Sequence, residues 1–140
     1  MLSQTSEYAL RALLFLAEQD RKKSTGADVI AAAVGIPASY LAKVLQPLVR
    51  SGVLHSSRGR NGGFALAVPP SQLMLERIIK PFDDNSGRRH CLLGRPTCSD
   101  RTACAVHLAW KSTGERIARF FRTTSLAQVR GPVGRLTLGV

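Results

Sequence analysis

Apolar residues recur along most of this chain at helical spacing, with one short stretch at strand spacing. Over 4–20, Tyr8, Ala9, Ala12, Leu13, Leu16 and Ala17 form one apolar face, widened by Leu10, Leu14 and Phe15. A face this broad predicts a helix buried on most sides. Gln4, Thr5 and Ser6 offer it a polar start, and Glu7 in the first turn complements the positive end of the helix dipole. Beyond the basic loop Arg21-Lys22-Lys23, a second short helix is expected over 26–33, capped by Thr25, with Val29, Ile30 and Ala33 inward, and broken by Gly35. Pro37 suits a first helical turn. A third helix over 38–51 then carries the stripe Leu41, Val44, Leu45, Leu48 and Val49. Pro47 inside it predicts a kink or a tightened turn, and Gly52 ends it.

The pattern next shortens to that of strands, over 53–56 and 64–68. Between them lies a Gly-rich turn whose Asn61-Gly62 pair is a strong hairpin signal. Pro69-Pro70 stops the second strand, and Ser71 is placed to cap a fourth helix with Leu73, Leu75, Ile78 and Ile79 on its apolar side. A polar loop follows over 83–100. The last long helix is expected over 101–121, where Ala103, Val106, Trp110, Thr113, Ile117 and Phe120 alternate spacings of three and four. That is a heptad seam, by which one helix packs along another. So long a helix in so short a chain predicts a homodimer. Residues 125–129 read as a final helical turn and 130–140 as a frayed tail. The fold class is mainly α with a small β-hairpin wing.

Two short helices joined by a Gly-containing turn and followed by a hairpin describe a winged helix-turn-helix, here over 1–80. Its third helix is the recognition helix, whose N-terminal residues enter the major groove. Ser39 and Tyr40 bring hydroxyls there, and Lys43 reaches a phosphate or a guanine edge. Arg58 and Arg60 at the hairpin tip suit a narrow minor groove, where the negative potential is deepest. Composition supports the same partner: 20 Lys and Arg face nine Asp and Glu, a formal net charge of +11. An excess of that size favours a polyanion, here double-stranded operator DNA. No strongly cationic amphipathic helix argues for a membrane surface.

The remaining chemistry is concentrated in one place. The three cysteines, Cys91, Cys98 and Cys104, are the only ones, and His107 follows in the pattern C-x6-C-x5-C-x2-H. An odd count rules out full internal pairing. The chain opens without a signal-peptide pattern, and the apolar run Ala9 to Ala17 is too short for a membrane span. A reducing cytoplasmic compartment is therefore expected, where clustered cysteines are more often ligands than disulfides. Several soft ligands close in sequence suit a metal or an iron–sulfur cluster. On a DNA-binding chain, such a site reads as a sensor. A structural Cys3His zinc site is one alternative. A cluster-free thiol switch, with Arg88, Arg89, Arg95 and Arg101 lowering thiol pKa values, is another. No nucleophile–base motif or phosphate-binding loop points to an enzyme.

Three segments, 4–13, 36–43 and the wing Arg58-Gly59-Arg60-Asn61-Gly62-Gly63-Phe64, together with the cysteines, resemble the Rrf-type winged-helix transcription regulators, the family of IscR and NsrR. The resemblance covers roughly 1–129. It implies a homodimer with a cluster-binding loop, here 81–104, beside a dimerisation helix and C-terminal turn, here 105–129. It implies that the cluster's state alters operator affinity, in response to nitric oxide, redox state, iron or iron–sulfur status. Cys91, Cys98 and Cys104 stand where the family's three cluster ligands stand. For the fourth position the resemblance offers two residues. His107 matches the histidine of a [2Fe-2S] site, and Glu7 matches an acidic ligand from the other subunit's first helix in a [4Fe-4S] site. Soft-ligand chemistry favours His107, and both stay open.

Overall fold

The structure is a computed structural model that describes residues 2–83, 91–96 and 98–129. Helix α1 spans Gln4–Ala17 and is capped by Ser3, whose side chain accepts from the Ser6 N–H. Helices α2 (Ala27–Val34) and α3 (Ala38–Arg50) follow, turned 109° from each other. Such an angle belongs to helix-turn-helix units. Gly35 makes the turn at φ 67°, in the left-handed region where other residues are strained.

Strands β1 (Leu54–Ser57) and β2 (Gly63–Leu66) pair antiparallel, from Leu54 opposite Leu66 to Ser57 opposite Gly63. The connection is thus five residues long, 58–62, two shorter than the expected turn because Ser57 and Gly63 still pair. The outer edge of β2 is paired as well. Thr25 and Phe64 exchange backbone hydrogen bonds of 2.9 and 2.8 Å. Thr25 therefore serves the sheet and does not cap α2, whose N-cap is Gly26. A side chain at position 63 would run into the Thr25 carbonyl, so this close edge needs glycine. Within α2, Ile30, Ala31 and Val34 are buried. Val29 and Ala33, expected inward, are exposed, because Ile30, Ala31 and Val34 already fill the one face that so short a helix turns to the core.

The fourth helix is shorter than expected. Ser71 lies in a single 3-10 turn, Pro70–Gln72, and α4 begins only at Leu75 and ends at Ile79. The delay has a cause downstream: Leu75 N–H donates to Thr124 O, and Leu126 N–H to Leu73 O. This bridge ties α4 to α6 (Leu126–Val129), the last described turn. Helix α5 runs His107–Thr123, six residues later than the pattern predicts. Asp100–Thr102 instead forms a 3-10 turn. The core joins Ala9, Leu13 and Leu16 of α1 to Ile30 of α2, Leu41, Val44, Leu45 and Leu48 of α3, and Leu126 of α6. Among the described residues, no single helix is long and apolar enough to cross a membrane. The tail 130–140 lies outside the described residues.

Candidate functional site

The residues expected to read DNA sit on the first turns of α3 and on the wing. Ser39 and Lys43 are exposed, as are Arg58 and Arg60 on the tip between β1 and β2. Gly59 stands between the two arginines at φ 97°, and the Gly62 N–H closes the tip on Gly59 O at 2.9 Å. Tyr40 is placed differently. It is half-buried, and its hydroxyl shares a hydrogen bond of 2.7 Å with Thr5 of α1. Its ring meets Tyr8 edge-on, with centroids 5.7 Å apart. The wing is further braced by a 2.7 Å hydrogen bond between Ser24 and Ser57.

The cysteine loop folds around Cys91. The Gly94 N–H donates to Cys91 O at 2.9 Å, and Gly94 adopts φ 69°. That turn aims the backbone N–H groups of Arg95 and Leu93 at the Cys91 sulfur. The Arg95 N–H, then the Leu93 N–H, hold the Cys91 thiol below its ordinary pKa. Burial opposes this, while the Cys98 side chain and the Arg95 charge add to it. Such N–H···S bonds stabilise a thiolate, the form that binds metals. Arg95 also donates to Thr102 O at 3.0 Å, which closes the loop on the 3-10 turn.

Cys98 connects this loop to α5. Its Sγ lies 3.1 Å from His107 Nδ1. His107 is 3 % exposed, and its Nε2 lies 2.9 Å from Asp100 Oδ1, with Lys111 Nζ at 3.7 Å from the same oxygen. Cys104 is half-buried just before α5, and its carbonyl accepts the His107 N–H. Because α5 starts at His107, Cys104 and His107 do not share a helix face as their spacing predicts. Glu7 is exposed on α1.

The structure thus brings Cys91, Cys98 and His107 into one chain of contacts, which among the described residues does not extend to Cys104 or Glu7. Among the described residues, no group of three or more His, Cys, Asp or Glu side chains is placed to hold a metal ion. Arg88, Arg89 and His90 lie outside the described residues. Sequence reasoning missed Asp100, which carries no motif. Its only signal is a carboxylate two residues beyond a cysteine.

The family model for Rrf2, described as an iron-dependent transcriptional regulator, matches residues 2–131. The chain belongs to this family. Among Rrf2 relatives, it is 30% identical over 129 residues to the HTH-type transcriptional regulator NsrR of Geobacillus kaustophilus (strain HTA426), a match covering 91% of this chain and 88% of that one. Its fold matches CymR, the global cysteine regulator of B. subtilis, with a TM-score of 0.76 at 20% identity, over 93% of this chain and 95% of that one. It matches T. potens IscR with a TM-score of 0.72 at 20% identity, over 92% and 85% of the two chains. As an Rrf2 member with this fold, the protein is a winged-helix, DNA-binding transcriptional regulator.

Proposed function

We propose that the operator affinity of this regulator is controlled by an iron–sulfur cluster held by Cys91, Cys98, Cys104 and His107. One observation carries the ligand set. His107 is buried with Nε2 on Asp100 and Nδ1 toward the Cys98 sulfur. A metal-ligating histidine characteristically gives its other ring nitrogen to a carboxylate, which fixes the tautomer and leaves the free nitrogen basic. The backbone N–H groups aimed at Cys91 fit as well, since hydrogen bonds to sulfur stabilise cluster thiolates and tune the cluster's potential. When bound, the cluster supplies a redox-responsive link between the loop and the start of α5.

The protein's own residues would do the rest. Asp100 and Lys111 hold His107 in place, and the loop closes through Arg95 on Thr102. Ser39, Lys43, Arg58 and Arg60 form the face presented to DNA, with the half-buried Tyr40 behind them on the first turn of α3. The exposed side of α5 pairs two copies, and Glu7 of the other copy is the rival fourth ligand. Cluster state shifts affinity only through a difference between the DNA-binding and non-binding conformations.

A second reading is favoured by the contact between the Cys91 and Cys98 side chains. In a thiol switch, a hydroperoxide oxidises both to a disulfide. The two thiols give up two electrons and two protons, and the hydroperoxide's O–O bond breaks to leave an alcohol and a water, or two waters from hydrogen peroxide.

Anaerobic purification of wild type, His107→Ala and Glu7→Ala separates these readings. A coloured wild type with stoichiometric iron and sulfide, and loss or a changed spectrum in His107→Ala alone, is the expected result. A spectrum altered only in Glu7→Ala transfers the fourth position to Glu7. Colourless anaerobic protein ends the cluster reading, either with one zinc per chain or with metal-free thiols that peroxide then joins as a Cys91–Cys98 disulfide.

A further inference from the structure

The first turn of α1 makes two sets of polar contacts that DNA reading and cluster binding leave unexplained. On one side is Asp83, the last described residue before the segment leading to Cys91. Its Oδ2 accepts the Ser3 N–H and the Ser3 hydroxyl, both at 2.9 Å, and the Ser6 hydroxyl. Ser6 is fully buried, an unusual place for a serine unless its hydroxyl has a fixed task. The carboxylate also lies at the positive end of the helix, which favours it there. Asp83 is held by its own N–H donating to Ile79 O, at the end of α4.

The other contact comes from the residue between those two serines. Thr5 shares its hydroxyl hydrogen bond with Tyr40, in the first turn of the recognition helix. One helical turn therefore touches both the root of the cysteine loop and the helix that reads DNA. These contacts join positions 77 and 35 residues apart in sequence.

We propose that the first turn of α1 is a joint through which Asp83 and Tyr40 act in series, so that the root of the cysteine loop sets the position of the recognition helix. Tyr40 is then a positioning residue whose hydroxyl faces Thr5 and not the DNA. A shift at Asp83 releases Ser3 and Ser6, loosens the turn, and lets Tyr40 and the start of α3 move relative to the wing. The arrangement goes beyond the cluster reading, since it rests on the contacts of Asp83 and Tyr40 alone, whatever the chemistry of the loop.

The test is DNA affinity measured on a duplex recovered from a random-sequence pool by the wild-type protein. The variants are Asp83→Asn, Ser6→Ala, Thr5→Val, Tyr40→Phe and the double variant Asp83→Asn with Tyr40→Phe. Affinity is read in whichever form, as isolated or stripped of iron, binds the wild-type duplex more tightly. Each single variant should weaken binding about fivefold, the worth of one such hydrogen bond. The double variant should be no weaker than its weaker parent, because breaking a series joint once is enough.

Multiplied effects, about 25-fold for the double variant, overturn the proposal, since independent sites add in free energy. So does full affinity in Thr5→Val alongside a loss in Tyr40→Phe, which would make Tyr40 a direct DNA contact. If Asp83→Asn fails to fold, as judged by thermal unfolding, Ser6→Ala takes its place in the double variant. Equal affinity of the two wild-type forms counts against cluster control and leaves this comparison among variants intact.

Discussion

The winged-helix half and the α5 half carry similar apolar spacings and bury them very differently. In α1 and α3, Leu13, Leu41, Leu45 and Leu48 have no exposed surface. Along α5, among the described residues, only His107 and Ala118 are buried, while Leu108, Trp110, Ile117 and Phe120 stay exposed. Val106, just before it, is exposed too. Apolar periodicity shows that a face is suited to being covered. It does not name the cover. The stripes of α1 and α3 find theirs within one copy of the chain, and the stripe of α5 does not. An apolar surface of this extent marks an interaction site, which is why a second copy belongs to the proposed function.

The largest effect should come from the closed half. Leu45→Ala leaves a cavity between the helices and should cost about 2–5 kcal/mol. Leu108→Ala on α5 should stay within about 0.5 kcal/mol. Urea unfolding of both variants measures the contrast, and equal costs would erase it. The next effect concerns assembly. Replacing Ile117 and Phe120 together by Asp places two charges on the seam and should convert a dimer to a monomer by light scattering, with helical content retained. An unchanged mass would mean that α5 is covered in some other way.

The smallest effect sharpens the boundary between the halves, at Asp83. Burial by itself raises the pKa of this carboxyl, but hydrogen bonds from Ser6 and Ser3 outweigh it and hold the group below the usual carboxylate range. A lowered folded pKa stabilises the protein above the unfolded value of about 3.9, and that contribution is lost as pH falls through the folded one. Asp83→Asn should therefore lower the unfolding midpoint at neutral pH, by about 1–2 kcal/mol in stability. The gap to wild type should close in acid. A gap independent of pH would show that Asp83 is not held as a carboxylate.

Much of this molecule is legible in its residues. Gly35, Gly52 and the turn 58–62 mark real boundaries, because left-handed and tight backbone strongly selects residue type. The stripe of α3 is read correctly because four fully buried positions, Leu41, Val44, Leu45 and Leu48, fall three and four apart on one helix face. The errors share a cause. Local rules place Thr25 and Ser71 at helix caps and Cys104 on a helix face with His107. Thr25 and Ser71 are set instead by backbone pairing with distant chain, and Cys104 by a helix that starts only at His107. Val29 and Ala33 fail likewise: eight residues are too few to determine which side of a helix faces inward.

At the candidate site the division is the same. The cysteine spacing, His107, Ser39, Lys43 and the wing arginines stand out by residue type and position. Asp100 and Asp83 do not, since a lone carboxylate in a polar loop has no local signature. Tyr40 was visible as a hydroxyl at the start of the recognition helix, but its contact with Thr5 was not.

The sequence by itself determined most of the elements, though not all their bounds, with the winged-helix class, the excess of basic charge and the family, because these depend on short-range periodicity, turn chemistry and motif spacing. The tertiary structure alone decided which residues meet: Thr25 with Phe64, Leu73 and Leu75 with the start of α6, Cys98 with His107, and Asp83 with Ser6. Periodicity specifies which face of an element is covered. The partner follows only from how all the elements pack at once, and most of these pairs lie too far apart in the chain for any local rule to reach.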